Sequence, residues 1–310
     1  MNKIICVVGP TASGKTALAV ELAKQLNGEI ISCDSMQIYR RMDIGTAKPT
    51  QEEMQGIPHH MIDICDPTED FSVSRYCDMA TPILEDVLSR GKTAIIAGGT
   101  GLYVDSLIRG NDFPSIPATG HREQLEKQLE TEGLEALLSQ LKAIDPEAAD
   151  RSQGNPRRII RALEVYFETG ETITAHNLRT QMLPAKYNAT WIGLDFEKRS
   201  DLYARIDRRV EVMLEIGLLD EIKDILSSGI PEKATALQAI GYKEFVDALA
   251  GRSTIESAVA QVQQSSRRYA KRQLTWFKRN ENMHWIIRQP DTPADEILAL
   301  ALQITRQFDN

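Results

Sequence analysis

Short apolar runs alternate with longer amphipathic stretches through the first hundred residues. Strand-like runs stand near Lys3 to Val8, Glu29 to Cys33 and Thr93 to Ala97, while helical periodicity marks Lys15 to Leu26 and Ser72 to Ser89. This β-α-β-α-β order predicts an α/β protein built on a doubly wound parallel sheet. Each apolar run ends in a polar or glycine-rich turn: Gly9 to Thr16, then Asp34-Ser35, then Gly98-Gly99-Thr100-Gly101. Ligands of such sheets bind outside the carboxyl ends of the strands, so the three turns are expected to converge on one site.

The texture changes between Phe113 and about Tyr187, where charged amphipathic helices are broken by Pro114, Pro117, Pro146, Pro156 and Pro184 and no convincing strand occurs. That stretch reads as a smaller all-helical insertion. The sheet resumes with Ala189 to Phe196. Helices are then predicted over Arg199 to Ser228, Tyr242 to Leu249 and Ile255 to Arg279, followed by a strand at His284 to Ile287 and a helix from Ala294 to Gln307. The predicted organisation is a P-loop-type core of residues 1–113 and 188–310 carrying an insertion domain at 114–187.

The first turn carries the sharpest chemistry. Gly9-Pro10-Thr11-Ala12-Ser13-Gly14-Lys15-Thr16 follows an apolar strand and opens a helix, the setting of a phosphate-cradling loop. Gly9 and Gly14 permit backbone angles that turn successive N–H groups toward one anion, and the helix adds its positive end. Lys15 can reach the outer phosphates of a nucleotide or other diphosphate ester, and the Thr16 hydroxyl is placed to ligate Mg²⁺. Asp34, one residue past the second strand, suits a base or a magnesium contact, but capping of its own turn through Ser35 explains it equally. Thr100 faces the same choice between a phosphate contact and a helix N-cap.

Composition narrows the partners. Charged residues make up 26% and hydrophobic ones 42%, ordinary proportions for a globular chain. No run approaches the roughly 18 apolar residues of a membrane span, so a cytoplasmic protein is expected. The four cysteines, Cys6, Cys33, Cys65 and Cys77, lack C-x-x-C spacing and read as buried reduced thiols. His59-His60 has no carboxylate or cysteine at ligand spacing, which argues against a metal role. A net charge of −8 counts against nucleic acid, yet no acidic residue occurs from Ser257 to Asn280, where Arg267, Arg268, Lys271, Arg272, Lys278 and Arg279 fall. A solvated basic helix face is the plain reading of that segment. Arg205, Arg208 and Arg209 recur at helical spacing, as do Arg157, Arg158 and Arg161; surface ion pairs or phosphate contacts would each account for them.

Taken together, GPTASGKT (Gly9 to Thr16), CDSMQIYR (Cys33 to Arg40), MDIGTAKPT (Met42 to Thr50), PHHMID (Pro58 to Asp63), GGTGLY (Gly98 to Tyr103), RALEVY (Arg161 to Tyr166), AIGYKE (Ala239 to Glu244) and RRYAKRQLTWF (Arg267 to Phe277) resemble the bacterial tRNA dimethylallyltransferases, in the same order and over nearly the whole chain. The resemblance implies transfer of a dimethylallyl group from dimethylallyl diphosphate to N6 of the adenosine beside the tRNA anticodon, with release of diphosphate. It implies that Asp34 accepts the N6 proton, that Lys15, Thr16 with Mg²⁺, and Thr100 handle the diphosphate, and that Arg205 supplies another cation. It places Asp34, Ser35, Met36 and Gln37 around the base. It further assigns tRNA contacts to Thr100, Arg122, Arg157, Arg158, Ile159, Ile160, Arg161, Gln238, Ala239, Ile240, Gly241, Tyr242 and Lys243, and implies a monomer. Rival readings are a small-molecule kinase using ATP, prenylation of free AMP or ADP, and an RNA-dependent GTP switch.

Overall fold

A computed structural model describes residues 3–111, 119–182 and 184–307. The chain divides into two units, residues 1–110 with 186–310, and residues 111–185. The boundary expected at 113, with Phe113, Pro114 and Pro117, lies outside the described residues.

In the first unit the elements run β1 (Ile4–Val8), α1 (Lys15–Gln25), β2 (Gly28–Ser32), α2 (Gln51–Met54), β3 (His59–His60), α3 (Val73–Ser89), β4 (Thr93–Gly98) and α4 (Gly101–Arg109). The second unit holds α5 (His121–Glu132), α6 (Leu134–Ile144), α7 (Pro146–Ser152), α8 (Pro156–Thr169) and α9 (Ile173–Met182). The first unit then resumes with β5 (Thr190–Phe196), α10 (Arg199–Glu215), α11 (Leu218–Ser227), α12 (Lys243–Leu249), α13 (Ile255–Phe277), β6 (Met283–Arg288) and α14 (Ala294–Gln307).

The six strands form one sheet in the order β3-β2-β4-β1-β5-β6, with every pairing parallel. This bears out the α/β class with a parallel sheet. The apolar runs are continuous rather than alternating because helices cover both faces. On one face Leu18 and Leu22 of α1 and Ile297 and Ala301 of α14 pack with Ile5, Val7, Ile30 and Ile95. On the other, Tyr76 of α3 stacks on Tyr103 of α4 at 4.3 Å and donates its hydroxyl to Ser32 O. All four cysteines are free and buried.

One expectation is corrected, and one strand is added. The helix expected from Arg199 to Ser228 is two helices, because Gly217 adopts φ 106° between α10 and α11. A periodic apolar stripe on both sides masks that break. The two-residue strand β3 joins the sheet edge by pairing His59 with Ile30 and His60 with Ile31, and is too short to leave a period-2 signal. His60 helps Arg90 and Lys92 hold the buried Glu29 carboxylate, whose pKa these partners, Arg90 foremost, drive far below the usual carboxylate range.

The second unit has its own core. Leu125, Leu137, Leu141, Ala148, Ala149, Ile159, Ile160, Ala162 and Leu163 pack together. Pro156 begins α8 at a position where its missing N–H costs nothing, and the Asn155 side chain accepts the Arg158 N–H as N-cap. Among the described residues, no helix of either unit is long and apolar enough to cross a membrane.

Candidate active site

The turns after β1, β2 and β4 meet at the carboxyl edge of the sheet. Gly9 (φ 148°) and Gly14 (φ 95°) take the positive angles expected of them, and Ala12 is held at φ 62° between them. A Cβ on Gly9 would stand 2.5 Å from the Leu194 carbonyl oxygen of β5, so the loop lies directly against the sheet. Gly14 is the N-cap of α1 and offers no side-chain cap, which leaves the amide end of that helix available to an anion. Lys15 Nζ donates to Pro10 O at 2.6 Å, folded over its own loop. Burial, with the nearby Arg209 cation, lowers the Lys15 pKa to about 8.

Asp34 begins the turn after β2. Its Oδ1 accepts the Met36 N–H at 2.8 Å and the Gln37 N–H at 3.3 Å, so the capping role is real. The same bonds fix the carboxylate and leave Oδ2 as its second oxygen. Thr100 stands at the N-cap position of α4 yet makes no capping bond. Its Oγ1 instead accepts the Ser35 N–H at 3.1 Å and meets Ser35 Oγ at 3.4 Å, tying the second turn to the third.

Two cavities open on this edge. The narrower, about 90 Å³, is lined by Lys15, Thr16, Ala19, Ile30, Ser32, Gln37, Ala47, Pro49, His59 and Ile62, with Gly98 and Gly99 at the β4 end. The wider, about 280 Å³, is lined by Ser35, Met36, Gly45, Ile206, Met213, Gln238, Ala239, Ile240, Gly241, Ser266 and Arg272. Thr11, Asp34, Thr46, Arg209 and Tyr269 line both, and therefore stand where the two meet.

The arginines of α10 separate by register. Arg209 donates to Thr11 Oγ1 at 3.1 Å and is a wall of both cavities, with its pKa lowered by burial. Arg205 braces the Gly9–Thr16 loop through Ala12 O at 3.1 Å and lines neither cavity. Arg208 turns away to Glu211 and Glu215.

Several contributors carried no signal of their own in the sequence. Gln273 of α13 is buried, accepts the Thr11 N–H at 2.8 Å and donates to Gly99 O at 3.0 Å, joining the basic helix to two site turns. Glu221 of α11 accepts the N–H groups of Asp43, Ile44 and Gly45 at 2.8, 2.7 and 3.2 Å, and the Tyr242 hydroxyl at 2.6 Å. His59 donates Nδ1–H to Ile57 O at 2.8 Å, and its Nε2 is buried with no hydrogen-bond partner among the described residues.

The remaining expected contacts divide between the units. Gln238, Ala239, Ile240 and Gly241 border the wider cavity, Tyr242 is buried behind them, and Lys243 is exposed. In the second unit Arg157, Arg158 and Arg161 are exposed, while Ile159 and Ile160 fill its core. Arg122 and Arg161 both reach Glu164, at 3.7 and 2.8 Å. On α13 and its C-terminal end Arg268, Lys271, Arg272, Lys278 and Arg279 are exposed; among the described residues only Arg267 of that segment has an ion pair, with Asp207.

Known proteins resemble the chain over nearly its whole length. The profile described as IPP transferase matches residues 37–280, and one described as isopentenyl transferase matches residues 2–68. A tRNA dimethylallyltransferase of Halalkalibacterium halodurans is 49% identical over 286 residues, covering 92% of this chain and 90% of its own. The crystal structure of a full-length tRNA isopentenylpyrophosphate transferase from Bacillus halodurans superposes with a TM-score of 0.73 at 44% identity, covering 99% of this chain and 98% of that one. A eukaryotic dimethylallyltransferase acting on tRNA gives a TM-score of 0.83 at 29% identity, covering 99% of this chain and 79% of its own. The chain belongs to the IPP transferase family and is a prenyltransferase of the tRNA dimethylallyltransferase type.

Proposed function

We propose that the enzyme transfers a dimethylallyl group from dimethylallyl diphosphate to N6 of the adenosine 3′-adjacent to the anticodon of tRNA, with the donor in the narrower cavity and the base in the wider one. The observation that carries this reading is the junction: Asp34, Arg209 and Tyr269 belong to both cavities, so a group bound in one meets a group bound in the other beside a carboxylate.

In this reading Gly9 to Thr16 clamp the leaving group. As the allylic C1–O bond breaks, negative charge grows on the bridging oxygen, and the loop amides, Lys15 and Arg209 meet it. Arg205 holds the loop's shape through Ala12. The cation that develops is resonance-stabilised, so the weakly nucleophilic amine attacks C1 late. The new N6–C1 bond forms, diphosphate departs, and the N6 proton passes to Asp34 Oδ2. Thr100 keeps Asp34's turn in place through Ser35.

Magnesium fits the donor set. Thr16 is a hydroxyl at the mouth of α1, and among the described residues no cluster of three His, Cys, Asp or Glu side chains could hold a metal alone. That suits an ion bound by Thr16 together with ligand phosphates and water. When bound, it supplies charge neutralisation on the departing diphosphate.

A stacked adenine cannot present N6 to an enclosed site, so the base is extruded into the wider cavity, against Met36, Met213 and Tyr269. The exposed cations of α13, and Arg122, Arg157, Arg158 and Arg161 of the helical unit, contact RNA phosphates, while Ile159 and Ile160 hold α8 in its core. The test is transfer of labelled dimethylallyl from its diphosphate to unmodified tRNA; phosphoryl transfer from ATP without prenylation would sink the reading.

A further inference from the structure

Family likeness groups Gln37 with Asp34, Ser35 and Met36 around the RNA base, but the geometry separates it from them. Ser35 and Met36 line only the wider cavity and Asp34 lines both; Gln37 lines only the narrower one, with Lys15, Ile30 and His59. Both amide hydrogens of Gln37 are committed, Nε2 donating to Thr46 O at 3.3 Å and Ala47 O at 3.0 Å. Its Oε1 accepts from Ser32 Oγ at 3.3 Å, back on β2. A carboxamide with both N–H groups spent on backbone carbonyls has none left to read a base edge.

What those bonds do instead is span a gap. Ser32 belongs to β2, and Thr46 and Ala47 belong to the loop that, with Pro49, also lines the narrower cavity. The start of that loop is pinned independently by Glu221, through the N–H groups of Asp43, Ile44 and Gly45. The end facing the cavity is held by Gln37.

We propose that Gln37 is a positioning residue for the prenyl donor: its carboxamide fixes the loop wall at Thr46 and Ala47 at the spacing that grips the five-carbon tail of dimethylallyl diphosphate. This rests on the assignment of the narrower cavity to the donor. Loss of the clamp lets the wall move, which loosens the donor site most, because the RNA cavity shares only Thr46 of the clamped pair and keeps its walls on α10, α13 and 238–241.

The test uses Gln37→Met, which fills the space without hydrogen bonds, and Gln37→Glu, which keeps the shape but turns a carboxylate toward two carbonyls. The donor Kd is measured by calorimetry without RNA, and KM is measured for each substrate at saturation of the other. The expected result is a rise of about tenfold in donor Kd and KM, the factor that roughly 1.4 kcal/mol represents, with the tRNA KM within about twofold of wild type, taking twofold as roughly 0.4 kcal/mol. The glutamate variant is expected to lose more than the methionine variant, and it supplies the same readout should the latter not fold. Unchanged donor binding, or a rise confined to the tRNA KM, overturns the proposal. A wild-type enzyme that binds donor yet leaves tRNA unmodified would overturn the proposed function instead, and the calorimetric comparison would still decide the role of Gln37.

Discussion

The two cavities differ in what builds them. The narrower one is made mainly of strand ends and the segments that follow them, Lys15 and Thr16 after β1, Ser32 on β2 with Ala47 and Pro49 of the next loop, and Gly98 and Gly99 at the end of β4, and is closed by Arg209, Tyr269 and Gln273. The wider one is made of side chains from α10 and α13 and from the segment 238–241, brought to Asp34 from far along the chain. A site on strand ends is set by the sheet register and tolerates little change. A site on helix faces depends on how those helices dock, so single side chains tune it rather than create it. Substitutions at the junction should therefore abolish turnover, those behind the wider cavity should weaken RNA use, and loss of exposed cations should weaken RNA binding modestly and flatten its salt dependence.

The largest effect is expected at the junction. Asp34→Asn keeps an Oδ1 acceptor for Met36 and Gln37 but removes the proton acceptor, so kcat should fall by about 10²–10⁴ with donor Kd nearly unchanged. Single-turnover kinetics with calorimetry would check it, and a mutant defective in binding alone would erase the proposed division of labour.

Gly45→Ala probes the wall behind the wider cavity. An added Cβ would stand 2.4 Å from the Tyr242 ring, which is fully buried and bonded to Glu221. Overpacking of this kind costs about 1–3 kcal/mol. A lowered Tm with a raised tRNA KM is expected, and a neutral outcome would mean that Tyr242 yields easily.

A smaller change should follow from the paired substitution Lys271→Ala with Arg272→Ala. Both are exposed on α13. For every phosphate that these cations neutralise, their removal should flatten the plot of log affinity for tRNA against log salt by roughly 0.7–0.9, with little change in donor KM. An unaltered slope would remove this helix from the RNA footprint.

The smallest effect is a pH dependence. Burial lowers the Lys15 pKa from 10.5 to about 8, so the folded enzyme loses this cation as pH rises through about 8 while the unfolded chain keeps its proton. Donor kcat/KM should therefore decline through that range, because the free enzyme's charge meets the diphosphate. Stability should move oppositely, rising between about 8 and 10.5 because the unfolded state binds the extra proton there. A Lys15→Met enzyme should lack both trends.

Legibility followed the same division. The Gly9–Thr16 turn, the strand-end Asp34 and the glycine turn before Thr100 could be read because each is a local pattern fixed by one strand and its turn. Helix α14 has the bounds its periodicity predicts, Ala294 to Gln307. Long-range choices were not legible. Arg205, Arg208 and Arg209 share one helix, and only the docking of α10 against the Gly9–Thr16 loop turns Arg209 inward. Gln273 and Glu221 act through backbone groups more than 170 residues away in sequence, and no spacing rule reveals such a partner. Thr100 could be read as a cap or a site residue; its hydroxyl serves Ser35, a contact made across two strand ends.

The most direct measurement incubates purified enzyme with labelled dimethylallyl diphosphate, Mg²⁺ and unmodified tRNA, then digests the RNA and resolves its nucleosides by mass spectrometry. Wild type should yield N6-dimethylallyladenosine beside the anticodon with one diphosphate released per prenyl group, and Asp34→Asn should bind the donor without forming product. Undiminished product from Asp34→Asn, or a labelled group found anywhere but on N6 of adenosine, would contradict a carboxylate-assisted alkylation at the junction of the two cavities.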